Sequence, residues 1–578
     1  MTHISLALVG LMWVLPFLHF HHAYPLTTFD QEWWAVVLGL LAMFTMTGKA
    51  YWRTAQIPRI VLLPLGLIVV CLLQIVSGML PYFEQALLYI LYLLFVALLM
   101  MLGAWLRRDL GMELVAVGLA CALLLGAELS AAIGIYQHFG LHSWLDNVVV
   151  RKIAAGLYGN VAQPNHYANY IALGIYSLGL LYQLRKLNWL YSVLLVLPLL
   201  FVMTLSGSRT TWLYVIAAFV ISVWMSYKNR ALRPLLYYSG AIIIGYLAMH
   251  GLVQLPLLAG QDVDTNSLRM SDTSSHIRLY LWQEALRIFM QSPLLGAGFG
   301  QYGFRHFELQ PLLQPASITG LYNNAHNVVL QLAAETGLAG VLTLFGSIGA
   351  LLYGMRNAAC SAARWWCYAL IAVISIHSLL EYPLWYAYFL AIIAFLLGVA
   401  DETSFKIDMP KLGRVFMAML ILWGCVLMAQ LNYNYLQLKD AFSAKLLAKQ
   451  SAPSSTSQNL VAMRSGSFLL RPLVDLFISN GMSVDAQNLS EKIAFNNNAM
   501  RYIPTAEVVY RQSYLLAQAG ELEAAKQLML QALWSYPNNV PARNVLLHLA
   551  EKDAVHYSAL LEFATQKEQE IARAVRNQ

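Results

Sequence analysis

In QALLYILYLLFVALLMMLGAWLRRDLGMELVAVGLACALLLGA, residues 85–127, no charged residue occurs before Arg107. At about 1.5 Å of rise per residue, a helix over 85–106 crosses a hydrocarbon core roughly 30 Å thick. Arg107, Arg108 and Asp109 interrupt it briefly, and a second apolar run continues to 137. Outward from this pair, comparable runs lie near 4–20, 33–48, 58–78, 167–184, 188–205, 210–226, 235–254, 327–354, 364–381, 384–400 and 413–431. The composition agrees. Hydrophobic residues make up 59% and charged residues 11% of the 578 positions, where a soluble chain carries roughly 25% charged. A single water-soluble globule, a disordered chain and a fibrous repeat are excluded. The expected fold is an all-α polytopic membrane protein with about 13 transmembrane helices.

The loops assign a direction. Lys49, Arg53 and Arg59, Arg107 and Arg108, Arg185 and Lys186, Lys228, Arg230 and Arg233, Arg356 and Arg364, and Lys406, Lys411 and Arg414 fall in alternate loops, and the other short loops have almost none. The positive-inside rule makes the first set cytoplasmic, as is the N-terminus, and everything after residue 431 external. Two long outer loops, 138–166 and 255–326, carry Arg151, Lys152, Arg269, Arg278, Arg287 and Arg305, which long loops tolerate. The net charge of +7 is therefore loop charge that orients the chain, and no nucleic-acid partner is expected. The first run has no basic residue before it and HFHHAYP after it, so it reads as a retained span and not a cleavable signal peptide. Cys71, Cys121, Cys360, Cys367 and Cys425 lie in or beside apolar runs without a CxxC pair, and His19, His21 and His22 lack a supporting ligand set. No metal or cofactor is expected.

After 431 the character changes: 26 of the last 147 residues are charged, about 18%, against about 9% before. Beyond a Ser-rich linker, SAPSSTSQN (451–459), the stretch RQSYLLAQAGELEAAKQLMLQALWSYPNN (511–539) is spaced like a tetratricopeptide unit. Gly520 falls at its turn, Ala525 and Ala532 at helix contacts, and Pro537 at its stop. Any antiparallel helix pair gives similar spacing. The expected domains are 1–254 with nine spans, the loop 255–326 with an amphipathic helix, 327–431 with four spans, and an external helical domain over 432–578.

The costly polar residues all fall on the external side of this topology. QPNHYANY (163–170) places Gln163, Asn165 and His166 at the mouth of the sixth span, and SGSRTTW (206–212) places Arg209 in an outer turn. Arg278 lies on the amphipathic loop helix. NNAHNVVLQLAAETG (323–337) opens the tenth span with Asn324, His326 and Asn327, and Glu335 lies deeper. HSLLEYPLWYAYF (377–389) sets His377 and Glu381 one turn apart, beside Tyr382. Ionisable residues at membrane depth mark sites by default. Each has a plainer reading as well: a helix cap for Arg209 or His326, a surface ion pair for Arg278, a structural hydrogen bond for His377 with Glu381, and packing for Glu335.

Arginines facing a membrane-level cavity suit a lipid-linked pyrophosphate, whose oxygens a guanidinium binds as a fork. A neutral histidine can take the proton of an incoming hydroxyl. With no ATP outside, the energy must arrive in the substrate. SGSRTTW, Arg278-x3-Trp282-x2-Ala285 followed by PLLGAGFGQY, and NNAHNVVLQLAAETG together resemble the O-antigen ligase and Wzy polymerase superfamily. QPNHYANY and HSLLEYPLWYAYF narrow the resemblance to bacterial protein O-oligosaccharyltransferases of the PglL type. That resemblance, over residues 1–440, implies a membrane glycosyltransferase C kind of fold in the bacterial inner membrane. It implies metal-independent transfer of a preassembled glycan from undecaprenyl pyrophosphate to Ser or Thr of a periplasmic acceptor, a type IV pilin. It also implies His326 as the essential loop histidine and Arg209 and Arg278 as donor pyrophosphate ligands. Gln163, Asn165, His166, Asn324, Asn327, Glu335, His377, Glu381 and Tyr382 are then candidates for positioning donor or acceptor. The alternatives are an O-antigen ligase acting on lipid A core and, from another class, a transporter or flippase. Against the latter, no inverted repeat is visible.

Overall fold

The computed structural model describes every residue except 54, 154–155, 259, 261–266, 314–318, 448–453 and 578, and the backbone alone of 267–275, 444–447, 454–459 and 575–577. Each of the thirteen apolar runs coincides with a helix. Among the described residues, seven helices are long and apolar enough to cross a membrane, including Phe83–Leu110, Met112–His138, Thr210–Lys228 and Val328–Met355. Thr2–Leu18, Trp189–Leu205 and Ala387–Ala400 are apolar and shorter. Phe29–Ala42, Pro164–Gln183 and Ala362–Ser378 carry polar residues that lower their hydropathy: Asp30 and Glu32, Asn165, His166 and Asn169, and Arg364 and His377.

The helices pack through small residues, as apolar solvent requires when no hydrophobic gain separates helix from lipid. Phe83–Leu110 and Ala387–Ala400 lie backbone to backbone. A Cβ on Gly103 would stand 2.3 Å from the Phe395 carbonyl oxygen, and one on Gly398 2.0 Å from that of Met100. At one end of the bundle the basic loops gather. Ala55–Pro58 pairs antiparallel with Ser404–Ile407, Arg107 donates to the carbonyls of Val399 and Asp401 at 2.9 Å each, and Arg364 pairs with Glu402. The polar motifs sit at the other end.

Two boundaries differ from the sequence reading. Leu412–Leu447 is one helix of 36 residues that runs through 431 without a break, so the thirteenth span and the entry to the tail are one rod. The linker placed at 451–459 is helical from Ser454, in Ser454–Gly466, and 451–453 lie outside the described residues. The tail is a stack of short helices, Arg471–Asn480, Leu489–Tyr502, Ala506–Gln518, Leu522–Ser535, Val540–Lys552 and Ala554–Asn577. Ala525 and Ala532 are fully buried between the third and fourth of these, and Gly520 turns between them at φ +80°. The tail rests on the end of the bundle opposite the basic loops. Arg471 pairs with Glu84 at 2.8 Å, Arg464 with Asp475 at 2.6 Å, and the Tyr82 hydroxyl reaches Asp475 at 3.3 Å. Phe307, from the loop helix Tyr302–Leu313, is buried in the tail's own core.

Candidate active site

The NNAHN segment fixes its histidine by local hydrogen bonding. The Asn324 side chain accepts the His326 N–H at 2.8 Å, an Asx turn, and Asn327 caps the following helix by accepting from Val329 and Leu330 at 3.0 and 3.1 Å. Between them His326 takes a left-handed conformation, φ +52°. A non-glycine residue held there costs of order 1–3 kcal/mol and persists where the surroundings over-determine it. Asn327 also donates to the Leu379 carbonyl at 3.1 Å, which ties this loop to the turn after Ala362–Ser378.

That turn carries Glu381, a carboxylate only 3% exposed, and three of the predicted residues converge on it. The His326 Nδ1 lies 3.0 Å from one oxygen; the Arg278 guanidinium and the Asn165 amide, the latter at 2.7 Å, donate to the other. Burial alone would raise the Glu381 carboxyl. The hydrogen bond and charge of His326 and the charge of Arg278 act the other way and hold it at about 2. An ionised Glu381 accepts a hydrogen bond from an Nδ1–H of His326, the tautomer that leaves the ring lone pair on Nε2. The Tyr382 ring stands edge-on to His326, centroids 4.9 Å apart.

Behind the carboxylate runs a second chain of contacts. His166 Nδ1 lies 2.8 Å from His377 Nε2, and the Tyr214 hydroxyl 2.9 Å from His377 Nδ1, so three helices are pinned together by one imidazole pair. Gln163 accepts the His166 N–H at 2.5 Å and caps this helix. The second ring nitrogen of His166 is buried with no partner among the described residues, and the ring stands among Tyr382, Tyr386 and Phe389. Tyr214 escaped the sequence reading because a tyrosine five residues into an apolar helix carries no signal of its own.

Glu335 stands apart from Glu381. Its Oε1 accepts from Tyr302 N at 3.2 Å and from Gln331 at 2.9 Å, and its carbonyl accepts from Gln74 at 2.8 Å and from Gly298 N at 3.1 Å. It is the centre of a knot between PLLGAGFG and the Val328–Met355 helix. The knot reaches the site indirectly, since Gln331 also accepts the Ala325 N–H at 2.6 Å, next to His326. Arg209 is exposed at the head of Thr210–Lys228, one turn before Tyr214. An apolar cavity of about 310 Å³ lies beyond the aromatic wall. It runs beside Leu40, Phe95 and Trp423, and Glu32, Trp385 and Tyr386 line it as well.

Residues 190–345 match the O-antigen ligase family, and residues 365–548 the family described as virulence factor membrane-bound polymerase, C-terminal. A general O-oligosaccharyltransferase of Acinetobacter baylyi is 29% identical over 468 residues, 78% of each chain. The two matched families meet across the site: His326 lies in the first and Glu381 in the second. The chain is similar to the O-antigen ligase superfamily and, within it, to the O-oligosaccharyltransferases. A second relative from Acinetobacter baylyi, a ComP-specific O-oligosaccharyltransferase, is 24% identical over 396 residues, 67% of this chain and 70% of the relative. The Arg278–Glu381–His326 cluster brings together a guanidinium, which can bind phosphate oxygens, and a histidine oriented by a carboxylate, which can accept a hydroxyl proton.

Proposed function

We propose that the protein transfers a preassembled glycan en bloc from undecaprenyl pyrophosphate to a Ser or Thr hydroxyl of a periplasmic protein, in the manner of a type IV pilin O-glycosyltransferase. The observation that carries this reading is the convergence of His326, Arg278 and Asn165 on Glu381, in a chain related to a general and a ComP-specific O-oligosaccharyltransferase. His326 Nε2 takes the proton of the acceptor hydroxyl as it attacks the anomeric carbon, and Glu381 stabilises the imidazolium that forms. Arg278, through the guanidinium nitrogens that Glu381 does not engage, and Arg209 receive the pyrophosphate as it leaves. The apolar cavity is suited to the polyprenyl chain.

In this reading the thirteen helices span the bacterial inner membrane, the basic end is cytoplasmic, and the site and the tail face the periplasm. The test is the intact mass of a periplasmic pilin in a host that supplies one undecaprenyl-linked glycan. A glycan-sized increase with the wild-type chain, absent with His326→Ala at equal expression, is the expected result. Glycan appearing on lipopolysaccharide, with the pilin unmodified, would assign lipid A core as the acceptor.

A further inference from the structure

The tail holds a groove of about 670 Å³ that the transfer chemistry does not use. Tyr510, Tyr514, Tyr536, Asn539, Val540 and Val545 line it. Val540 is 61% and Val545 46% exposed, so two aliphatic side chains stand open beside the tyrosines. The polar tips of the three tyrosines are already committed. Tyr510 donates to the Tyr536 carbonyl at 3.0 Å, Tyr514 to that of Ala542 at 2.8 Å and Tyr536 to that of Pro504 at 2.6 Å, while Asn539 caps the next helix. Arg511, also in the lining, is committed to the carbonyls of Met482, Glu507 and Asn480. What remains is ring faces and aliphatic carbon beside the exposed Glu507 carboxylate, a surface that suits the side chains of a polypeptide better than sugar hydroxyls. The groove also meets backbone. The Ser535 carbonyl accepts the Gly320 N–H at 2.7 Å, and the Ser535 hydroxyl, on a residue 2% exposed, has no partner among the described residues.

Gly320 connects this groove to the site. Its N–H is held by the tail and its carbonyl faces His306 Nε2 at 3.3 Å; His306 in turn lies 2.8 Å from the buried Glu284. Six residues on is His326. Six residues span at most roughly 20 Å of chain.

We propose that this groove binds an extended segment of the acceptor protein and delivers a hydroxyl on the same polypeptide to His326. The inference rests on the protein-acceptor reading above. Affinity comes from the tyrosine faces and the exposed valines, and the backbone pairing at Ser535 sets the path of the segment toward the site.

The test uses the full chain in a host supplying one lipid-linked glycan and a periplasmic acceptor protein, with the double variant Val540→Glu/Val545→Glu. Both positions are exposed, and Val540 opens a helix where a carboxylate is favourable, so the fold is retained. Two quantities are read: glycan on the acceptor protein, and free glycan released from the lipid donor to water, which reports the His326 site alone. A fall of roughly tenfold or more in protein transfer, with release unchanged, is expected, as for loss of an apolar anchor. Unchanged protein transfer overturns the inference, and so does an equal fall in both quantities. Failure of the underlying reading shows separately, in a wild-type chain that modifies lipid and no protein.

Discussion

Glu381 is the residue on which the site depends, because one buried carboxylate orders a guanidinium, an imidazole and an amide. Glu381→Gln keeps the shape and removes the charge. Turnover should fall roughly 100-fold or more, the range of a lost acid–base arrangement, with expression and membrane insertion retained. Single-turnover glycan transfer measures it. The same carboxylate has a pH signature. Its folded pKa, about 2, is below the usual carboxylate value near 4.3, so its contribution to stability is complete above pH 4.3 and is lost as pH falls toward 2. The unfolding temperature of the wild type should therefore decline through that window more than that of Glu381→Gln. Between pH 6 and 8 Glu381 stays ionised, and an inflection of turnover there belongs to another group. Arg278→Lys should restore only part of the activity lost in Arg278→Ala, since an ammonium cannot hold Glu381 and a phosphate in one plane. His326 was legible in the sequence because NNAHN announces a turn and a cap. The pairing was not: Glu381, read in the sequence beside His377, lies 55 residues from His326 and 103 from Arg278, and no local pattern encodes such pairings.

Among the elements, the crossing of PLLGAGFG with the Val328–Met355 helix holds the His326 loop in place. The helix is interrupted at Gly337, φ +63°, where a Cβ would stand 2.5 Å from the Leu294 carbonyl carbon; a Cβ on Gly296, φ +71°, would stand 2.3 Å from that of Glu335. Each glycine is thus required twice, for its backbone conformation and for the approach of another backbone. Gly337→Ala should destabilise by about 3 kcal/mol or more, combining an unfavourable φ with overpacking. Thermal unfolding in detergent gives the figure. Glu335 reads in the sequence as a membrane-depth acid and therefore as a site candidate. The structure gives it the work of joining two backbones, which a one-dimensional reading cannot separate from catalysis.

For the whole molecule, the tail and the membrane part are not separable units. Leu412–Leu447 enters the tail as one rod, Arg471 anchors it through Glu84 and Asp475 through the Tyr82 hydroxyl, and Phe307 of Tyr302–Leu313 is buried in its core. Removing the residues after about 450 should lower the unfolding temperature of the remaining chain and reduce transfer to every acceptor, not only alter the choice among them. Comparison of two unrelated acceptor proteins with the truncated chain checks this. An unchanged unfolding temperature would make the tail a detachable module.

The amino-acid sequence by itself determined the helical membrane class, the polar end of the bundle, the existence of a helical tail and the superfamily resemblance. Lipid leaves backbone groups no partners but those of their own helix, so each span is written in contiguous residues and can be read one run at a time. Only the tertiary structure decided that Asn165, Arg278 and His326 meet at Glu381, that Glu335 belongs to a different knot, and that Gly320 joins the tail groove to the His326 loop. Those contacts depend on how each helix is rotated and which helix lies beside it. That is set by close packing between faces such as Gly103 against Phe395, and the hydropathy of a single run carries no record of its neighbour.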